Sequence, residues 1–282
     1  MRLTNTKGLP DVFLKACEPR KQTSDISVTQ LIDSPRAVQL KKRHYDSLEV
    51  DVSDQIWALF GTAIHNVLEK SADTDALVEE NLSITMNGWK ISGMADWFDG
   101  KVLCDYKTTS AWTIVYKSQV VKWEEQLNLY AHLYRAHGFK PEKLQIVAIL
   151  KDWSKMKMMQ SEDYPRNKVI VINVDLWSEE KAKLFLETKV ELHQSQEPVA
   201  DENLILCSKE ERWEDADKWA VMKRGGKRAL KLCDTQLLAQ EIVDNKWKGA
   251  EYIEHRPAVA RRCQEYCDAL LYCDQAKKEK TC

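Results

Sequence analysis

The stretch N-L-S-I-T-M-N-G-W-K-I-S-G-M-A-D-W-F-D-G-K-V-L-C-D-Y-K-T, residues 81–108, decides the fold. Apolar and polar residues alternate on both sides of Asn87-Gly88, a dipeptide typical of a tight hairpin turn. The pattern predicts strands over residues 77–86 and 89–97. After a second turn signal at Asp99-Gly100 it predicts a third strand over residues 101–107.

Helical and strand patterns follow one another on either side of this hairpin. Residues 27–44 resemble a short helix and, after the break at Pro35, a second one, whereas the first 25 residues look irregular. Apolar spacing predicts helices over 56–71, 121–136 and 178–195, and strands over 144–150 and 169–174. This order indicates an α/β (α+β) fold, with a mixed central β-sheet flanked by helices.

The last 80 residues differ in character from this core. We predict one domain over residues 1–200 and a Cys-rich tail over 201–282, packed on it, with a basic hairpin that turns at Gly225-Gly226. No run of about 18 apolar residues is present, and the N-terminus has no apolar signal segment. We therefore expect no membrane association and a reducing cytosol.

Charge and composition set limits on the function. The formal net charge of the 282 residues is only −2, which argues weakly against nucleic acid as a partner, but phosphate contacts depend on local charge. Two local basic clusters are present, and either is compatible with an ordinary solvated surface. They hold Arg36, Lys41, Lys42, Arg43 and His44 in one, and Lys223, Arg224, Lys227, Arg228 and Lys231 in the other.

Two carboxylates and a lysine stand where phosphodiester chemistry needs them. Asp105 and Lys107 are two residues apart on the third strand and so point to the same side. Asp96 closes the predicted neighbouring strand, close enough to share a cation. Carboxylates bind divalent cations, and a lysine can offset developing negative charge. A D-x-K triplet alone is common by chance, but His65 on the preceding helix strengthens the hypothesis.

The order of motifs adds a family resemblance. G-x-x-x-H ending at His65, G-x-x-D ending at Asp96, D-Y-K-T from Asp105 and Q-x-x-x-Y over 126–130 resemble the RecB-like branch of the PD-(D/E)XK nucleases. The chain is especially similar to exonucleases related to the CRISPR-associated iron–sulfur nuclease and to phage-encoded relatives. The motifs span residues 27–150, and Ala95 replaces the proline of the family's name.

The resemblance implies a restriction-endonuclease-like core and a metal centre in a bacterial or phage-infected cytosol. Its Mg²⁺ or Mn²⁺ ligands would be His65, Asp96, Asp105 and the main-chain carbonyl of Tyr106. The implied activity is that of a metal-dependent DNA exonuclease, with a preference for single strands or DNA ends. The alternatives are a catalytically inactive DNA-binding or recombination accessory protein of the same fold, and an unrelated structural zinc protein.

The resemblance also implies roles for three further side chains. Lys107 would position or activate the attacking water, Gln126 would orient Lys107 or the scissile strand, and Tyr130 would support DNA positioning. No Gly-rich phosphate loop is present in the sequence, so ATP-driven unwinding is not expected. A homo-oligomer or a recombination or repair partner stays open.

The cysteines of the tail indicate a second metal site. Cys263, Cys267 and Cys273 have a spacing that lets three thiolates converge on one metal or cluster. By resemblance we favour a [4Fe-4S] cluster over Zn²⁺. The preferred fourth ligand is Cys207, because Ser34 stands where the iron–sulfur nucleases have an N-terminal cysteine. Cys17, Cys233 and Cys282 stay open as the fourth ligand, free thiols are the alternative for the whole set, and Cys104 is predicted to be a core residue.

A nuclease needs positive charge and stacking surfaces near its site. Four aromatic residues in or beside the motifs, Trp112, Tyr116, Trp123 and Trp153, could stack on bases, although packing is the usual role of such residues. The candidate DNA-binding residues are Lys41, Lys42, Arg43, Lys151, Lys223, Arg224, Lys227 and Arg228.

Overall fold

The computed structural model of the protein describes residues 1–19, 21–72 and 76–279. The chain forms two compact units, Met1–Val199 and Ala200–Cys282. In the first unit the strands are β1 Arg2–Thr4, β2 Ile26–Ser27, β3 Glu49–Asp51, β4 Leu77–Val78, β5 Asn81–Met86, β6 Trp89–Met94, β7 Trp97–Phe98, β8 Val102–Thr109, β9 Lys143–Leu150 and β10 Val169–Val174. The helices are α1 Asp11–Ala16, α2 Val28–Leu31, α3 Pro35–Arg43, α4 Ile56–Glu69, α5 Ala111–Val115, α6 Val120–Ala136, α7 Lys155–Gln160 and α8 Glu179–Gln196.

A five-stranded sheet in the order β10-β9-β8-β7-β4 forms the centre of the first unit. β8 and β9 run parallel over their full length, with Asp105 opposite Ile146, and the other pairs in the sheet are antiparallel. A smaller sheet, β2-β6-β5, holds the hairpin that turns at Asn87-Gly88. The predicted mixed α/β fold class is thus confirmed.

The core lies between these sheets and two long helices. Alternate residues of β9 are buried, because a strand presents every second side chain to one face. α6 contributes Leu127, Leu129 and Leu133 to one apolar cluster with Leu103 of β8 and Val190 of α8. β8 is held by neighbours on both edges and by this cluster, so the side chains that it carries have little freedom.

Two of the predicted strands are interrupted in the structure. The stretch 77–86 divides into β4 and β5 at Glu79-Glu80, and the stretch 89–97 divides into β6 and β7 at Ala95-Asp96. In both places the chain crosses between the small sheet and the central sheet, so one continuous strand cannot serve both. The first 25 residues are also more ordered than predicted, because β1 pairs in parallel with β3 and α1 follows it.

The second unit holds a three-stranded sheet and two short helices. Its elements are β11 Lys218–Met222, β12 Lys231–Cys233, β13 Tyr252–Arg256, α9 Gln236–Asp244 and α10 Asp274–Glu279. The predicted basic hairpin is formed by β11 and β12, but its connection spans residues 223–230, longer than the Gly225-Gly226 turn alone. Over the described parts of both units, no helix combines the length and apolar character needed to cross a membrane.

Candidate metal centre

Asp105 and Lys107 lie in the middle of β8 and face the same side. The Lys107 Nζ is 2.6 Å from the Asp105 Oδ2, so the two groups form an ion pair. Asp105 is buried, at 4% exposure. Burial raises the pKa of the Asp105 carboxyl, while the charge of Lys107 opposes that rise.

Asp96 lies on the crossing between the two sheets and not on a strand, which corrects the position predicted from the sequence. One of its oxygens, Oδ2, accepts a hydrogen bond of 2.5 Å from the backbone N–H of Tyr106. The other, Oδ1, is 3.0 Å from the Nδ1 of His65. Asp96 is therefore fixed between α4 and β8, the strand that carries Asp105.

The G-x-x-x-H motif has a packing reason. Gly61 and His65 are four residues apart on α4 and share one face of the helix. A Cβ at Gly61 would lie 3.1 Å from the Oγ1 of Thr108, so a glycine allows the helix to approach β8 this closely. The His65 ring then meets the Tyr106 ring edge-on, at 6.0 Å between centroids. The hydrogen bond to Asp96 raises the pKa of His65.

Glu79 is a site residue that the sequence analysis missed. One potential ligand atom from each of His65, Glu79 and Asp96 lies within 4.8 Å of the others. β4 pairs with β7 so that Val78 faces Trp97, and the next step of this antiparallel register brings Glu79 opposite Asp96. The adjacent pair Glu79-Glu80, where the apolar alternation stops, was the available signal in the sequence.

The backbone at Glu79 is strained. Its φ is 47°, in the left-handed region that favours glycine and costs other residues about 1–2 kcal/mol. Residues held in such conformations cluster at functional sites, where surrounding structure enforces them. The strained step lies directly between β4 and β5, at the point where the carboxylate turns toward Asp96.

The donor set fits a hard divalent cation. One imidazole nitrogen and two carboxylate oxygens converge, and carboxylate oxygens are the ligands that Mg²⁺ and Mn²⁺ prefer. After burial, the negative charge of Asp96 also raises the pKa of Asp105, and a bound cation would relieve the repulsion between these two carboxylates. Tyr106, another predicted ligand, lies between Asp105 and Lys107 with its N–H committed to Asp96.

Gln126 and Tyr130 extend this centre onto α6. The Lys107 ammonium donates to the Gln126 Oε1 at 2.9 Å, and the Gln126 Nε2 donates to the Tyr130 hydroxyl at 2.7 Å. Burial raises the pKa of Tyr130, so its hydroxyl stays protonated. A Cβ at Gly93 would lie 2.8 Å from the Tyr130 ring, which explains the glycine of the G-x-x-D motif. All predicted catalytic side chains are thus brought together.

The tail cysteines lie near one another in the second unit. Burial raises the pKa of Cys263, and the charges of Cys267 and Cys273 raise it further. The backbone of Cys207 is joined to the Gln275 side chain by two hydrogen bonds, of 2.9 and 3.0 Å, which places it close in the fold to the segment after Cys273. Cys282 lies outside the described residues.

Within the described chain, no three cysteine sulfurs lie within 4.8 Å of one another. Cys104 is buried in β8, as predicted for a core residue. Cys233 is buried against α9, and Cys17 lies in the first unit.

The predicted DNA-binding residues are not equally available. Arg36, assigned from the sequence to a basic cluster, is buried at 1% exposure, because its face of α3 packs inward. Lys42 forms an ion pair with Glu197 at 2.9 Å. Arg43 donates to the carbonyls of Gln196 and Glu197, so both side chains fasten α3 to the end of α8.

The remaining basic candidates are exposed. Lys41 lies on α3, and Lys223, Lys227 and Arg228 lie on the loop of the basic hairpin. Arg224 of the same loop has Glu251 at 3.6 Å. The Lys151 ammonium lies over the ring of Trp57, 4.2 Å from its centroid.

The four aromatic candidates divide into two kinds. Trp123 is buried in the core, and the indole N–H of Trp153 donates to the Pro165 carbonyl at 2.8 Å, so both have packing roles. Trp112 and Tyr116 are exposed and stack on each other.

Comparisons with known proteins add little to this geometry. No protein-family model matches the chain, and no curated protein sequence matches it. The crystal structure of SSO0001 is 20% identical, with a TM-score of 0.44, over 64% of this chain and 82% of that one. A "Putative exonuclease" from Eubacterium rectale is 13% identical, with a TM-score of 0.33, over 68% of this chain and 78% of that one. At TM-scores below 0.5, neither likeness bears on fold or function.

Proposed function

We propose that the chain is a metal-dependent DNA nuclease of the PD-(D/E)XK type that hydrolyses phosphodiester bonds as an exonuclease, with a preference for single strands or DNA ends. The observation that carries the proposal is the convergence of His65, Glu79 and Asp96 to within 4.8 Å, beside the Asp105–Lys107 ion pair. An imidazole, three carboxylates and an ammonium group in one place match what the hydrolysis of a phosphodiester requires.

The first role of these side chains would be to bind the cation and place it next to the phosphate. His65, Glu79 and Asp96 would be ligands to Mg²⁺ or Mn²⁺, with Asp105 and the carbonyl of Tyr106 as further candidates on β8. The bound ion would polarise a phosphoryl oxygen and lower the pKa of a coordinated water. Asp96 is fixed by the Tyr106 N–H before any ion arrives, so little reorganisation is needed on binding.

The second role belongs to the Lys107 ammonium. It is held by Asp105 on one side and by Gln126 on the other, so its position does not depend on substrate. From there it can orient the attacking water and offset the negative charge that develops on the phosphate oxygens. Gln126 and Tyr130 are positioning residues, because they act through Lys107.

The test is cleavage of end-labelled single- and double-stranded DNA in Mg²⁺ or Mn²⁺ by wild type and by Lys107→Ala. Lys183→Ala, on the exposed face of α8, is the matched control for the loss of one lysine. We expect the wild type and the control to cut and Lys107→Ala to lose cleavage while it still binds DNA. The cleavage proposal fails if wild type binds DNA and cuts neither substrate, and this outcome favours the non-catalytic accessory function. A Lys107→Ala variant as active as wild type removes the assigned role.

We also propose that Cys207, Cys263, Cys267 and Cys273 hold a [4Fe-4S] cluster, with Zn²⁺ as the alternative. The electrostatic influence of Cys267 and Cys273 on Cys263 supports a shared site, and the resemblance to iron–sulfur nucleases favours the cluster over zinc. Anaerobic purification followed by visible absorption and by iron, sulfide and zinc analysis distinguishes the two. Cys207→Ser should lower the cluster content, whereas Cys233→Ser, a buried cysteine of β12, should not. Equal loss in both variants would exclude Cys207 as the specific fourth ligand.

A further inference from the structure

Exposed aromatic side chains surround the end of the strand that carries Asp105 and Lys107. Tyr116 is 71% exposed and Trp112 38%, on and just after α5. Trp57 is 57% exposed and Phe60 39%, at the start of α4. We call these four residues the aromatic rim. Large apolar side chains are normally covered, so a group of them beside a polar site indicates a binding surface.

Each half of the aromatic rim is held in a fixed arrangement. The rings of Trp112 and Tyr116 stack with centroids 5.7 Å apart and planes 19° from parallel, and the buried Tyr164 supports Trp112 edge-on at 5.5 Å. Trp57 and Phe60 meet edge-to-face at 6.3 Å. Rings that are fixed in advance lose little conformational entropy when a planar ligand stacks on them.

The base of α5 is anchored as well. Asp152 accepts hydrogen bonds from the Ser110 hydroxyl at 2.6 Å and from the Ala111 N–H at 2.7 Å. The Thr109 hydroxyl donates to that of Thr113 at 2.9 Å, which joins the end of β8 to the helix. The Trp112–Tyr116 pair is therefore rigidly attached to the strand that carries the candidate catalytic lysine.

Positive charge accompanies the rings. The Lys157 ammonium lies 5.4 Å from the centroid of Trp112, and the Lys151 ammonium 4.2 Å from that of Trp57. Lys117 is exposed directly after Tyr116. Exposed aromatic rings interleaved with lysines are the combination that binds single-stranded nucleic acid, because bases stack on the rings and phosphates meet the charges.

The distance from the aromatic rim to the candidate centre suits one strand of DNA. Trp112 is five positions after Lys107, which limits their Cα separation to about 18 Å. Along α4, His65 is eight positions after Trp57, about 12 Å at 1.5 Å per residue. At about 3.4 Å per stacked nucleotide, a few nucleotides cover either distance.

We propose that the aromatic rim is a stacking platform for the bases of single-stranded DNA on its way to the metal centre. The proposal rests on the proposed nuclease function, narrows its substrate to the unpaired strand and adds the residues that recognise that strand. Bases in a duplex are stacked on each other and hide their faces, so only an unpaired strand can use these rings. A second copy of the chain is a poorer occupant, because a two-fold contact would bring two copies of the same lysine-bearing surface together.

The test is the dissociation constant of a short fluorescein-labelled oligo(dT), measured by anisotropy in EDTA so that no cleavage occurs. Tyr116→Ala and the double variant Trp112→Ala/Tyr116→Ala should bind more weakly by roughly 5- to 150-fold per stacked base lost. Tyr116→Phe keeps the ring and should bind as wild type does. Leu184→Ala, which removes a 66% exposed apolar side chain of α8, is the control for surface truncation.

Duplex DNA separates stacking from general charge attraction. The alanine variants should bind a blunt duplex as wild type does, whereas Lys151→Ala should weaken both forms of DNA and reduce the salt dependence. Unchanged oligo(dT) affinity in the alanine variants overturns the platform. The platform is also wrong if the alanine variants lose the same affinity for single-stranded and duplex DNA. It is wrong as well if they change the sedimentation coefficient and not the DNA affinity, because that result marks the rim as a surface for self-association.

The outcomes also separate this proposal from the proposed function. If wild type cuts single strands and Tyr116→Ala cuts and binds as well as wild type does, the platform is wrong and the nuclease stands. If wild type never cuts but its affinity for oligo(dT) depends on the Tyr116 ring, the platform stands and the catalytic assignment fails.

Discussion

Two hydrogen bonds form a relay from Lys107 through Gln126 to Tyr130. Gln126 is 7% exposed and makes two hydrogen bonds, one from the Lys107 ammonium and one to the Tyr130 hydroxyl. Gln126→Leu removes both. A hydrogen bond to a charged group contributes about 1.5–3 kcal/mol, and a buried hydroxyl left without a partner costs about 1–3 kcal/mol.

The apolar surface of the new leucine offsets part of this loss, by about 1–2 kcal/mol. We therefore expect Gln126→Leu to lower the free energy of unfolding by roughly 2–4 kcal/mol. Tyr130→Phe leaves only the Gln126 amide N–H without its acceptor and should cost about 1–3 kcal/mol. Lys107 keeps both its partners, Asp105 and Gln126, in this second variant.

The stability of the double variant shows whether Gln126 and Tyr130 are coupled. With leucine at 126, the Tyr130 hydroxyl is buried without a partner, and Tyr130→Phe removes that penalty. Gln126→Leu/Tyr130→Phe should therefore be more stable than Gln126→Leu alone, by about 1 kcal/mol or more. Urea unfolding in EDTA, followed in parallel by circular dichroism and tryptophan fluorescence, measures the cycle. Losses that simply add would refute the relay, because they would mean that the two side chains act independently.

Cleavage rates test whether the same relay positions Lys107 for catalysis. Loss of the Gln126 oxygen leaves the ammonium with Asp105 alone, so it can move away from the position that orients water. Misplacement by about 1 Å can cost roughly 100-fold in rate, so kcat should fall by about 10- to 100-fold in Gln126→Leu and by less in Tyr130→Phe. A larger loss in Tyr130→Phe would mean that the hydroxyl contacts DNA directly.

Stability measurements test the candidate ligand Glu79, the His65–Asp96 pair and the contact of α6 with the segment before α8. Mn²⁺ at about 100 times its Kd should stabilise wild type by about 2.7 kcal/mol, and Glu79→Gln should need more Mn²⁺ for the same rise in melting temperature; identical titrations would exclude Glu79 as a ligand. Because its bond to Asp96 raises the pKa of His65 above 6.5, protonated His65 stabilises the metal-free protein below that pH, and stability is lost as pH rises through the folded-state pKa. Melting temperature against pH should show this slope in wild type and not in His65→Gln, and Mn²⁺ should release a proton on binding. Asn128→Ala removes the acceptor of the buried Trp177 backbone N–H, at 2.7 Å, and should cost about 2–4 kcal/mol in urea unfolding without changing the cleavage rate per folded molecule.

Most elements of the fold could be predicted from the local spacing of apolar residues. The period of the apolar residues predicted β8, β9, β10 and α6 within a few residues. In β9 the reason is plain, because every second side chain is buried along the whole strand. The same rule put Asp105 and Lys107 side by side, and the ion pair between them has the expected geometry. A strand's two faces depend only on the chain's own spacing, so one sequence is enough to predict them.

The backbone position of Asp96 could not be predicted from local spacing. Its stretch alternates like a strand, but a strand that leaves one sheet for another must bend, and nothing in the local pattern says which sheet each half joins. The bend is what frees both Asp96 oxygens, one for Tyr106 and one for His65. The motif thus anticipated that Asp96 lies beside β8 and His65, but it predicted a strand where the backbone bends.

The position of Glu79 is even harder to predict from the sequence, because it depends on the pairing between two strands. β4 is two residues long and would be too short to predict alone; it exists because Val78 finds Trp97 on β7. That register, and the left-handed turn at Glu79 that follows it, bring the carboxylate to the side of Asp96 that faces His65. A strained conformation costs about 1–2 kcal/mol unless something is gained. Glu79→Gly, which removes both the strain and the carboxylate, should therefore melt at a higher temperature in EDTA and lose that advantage once Mn²⁺ is added.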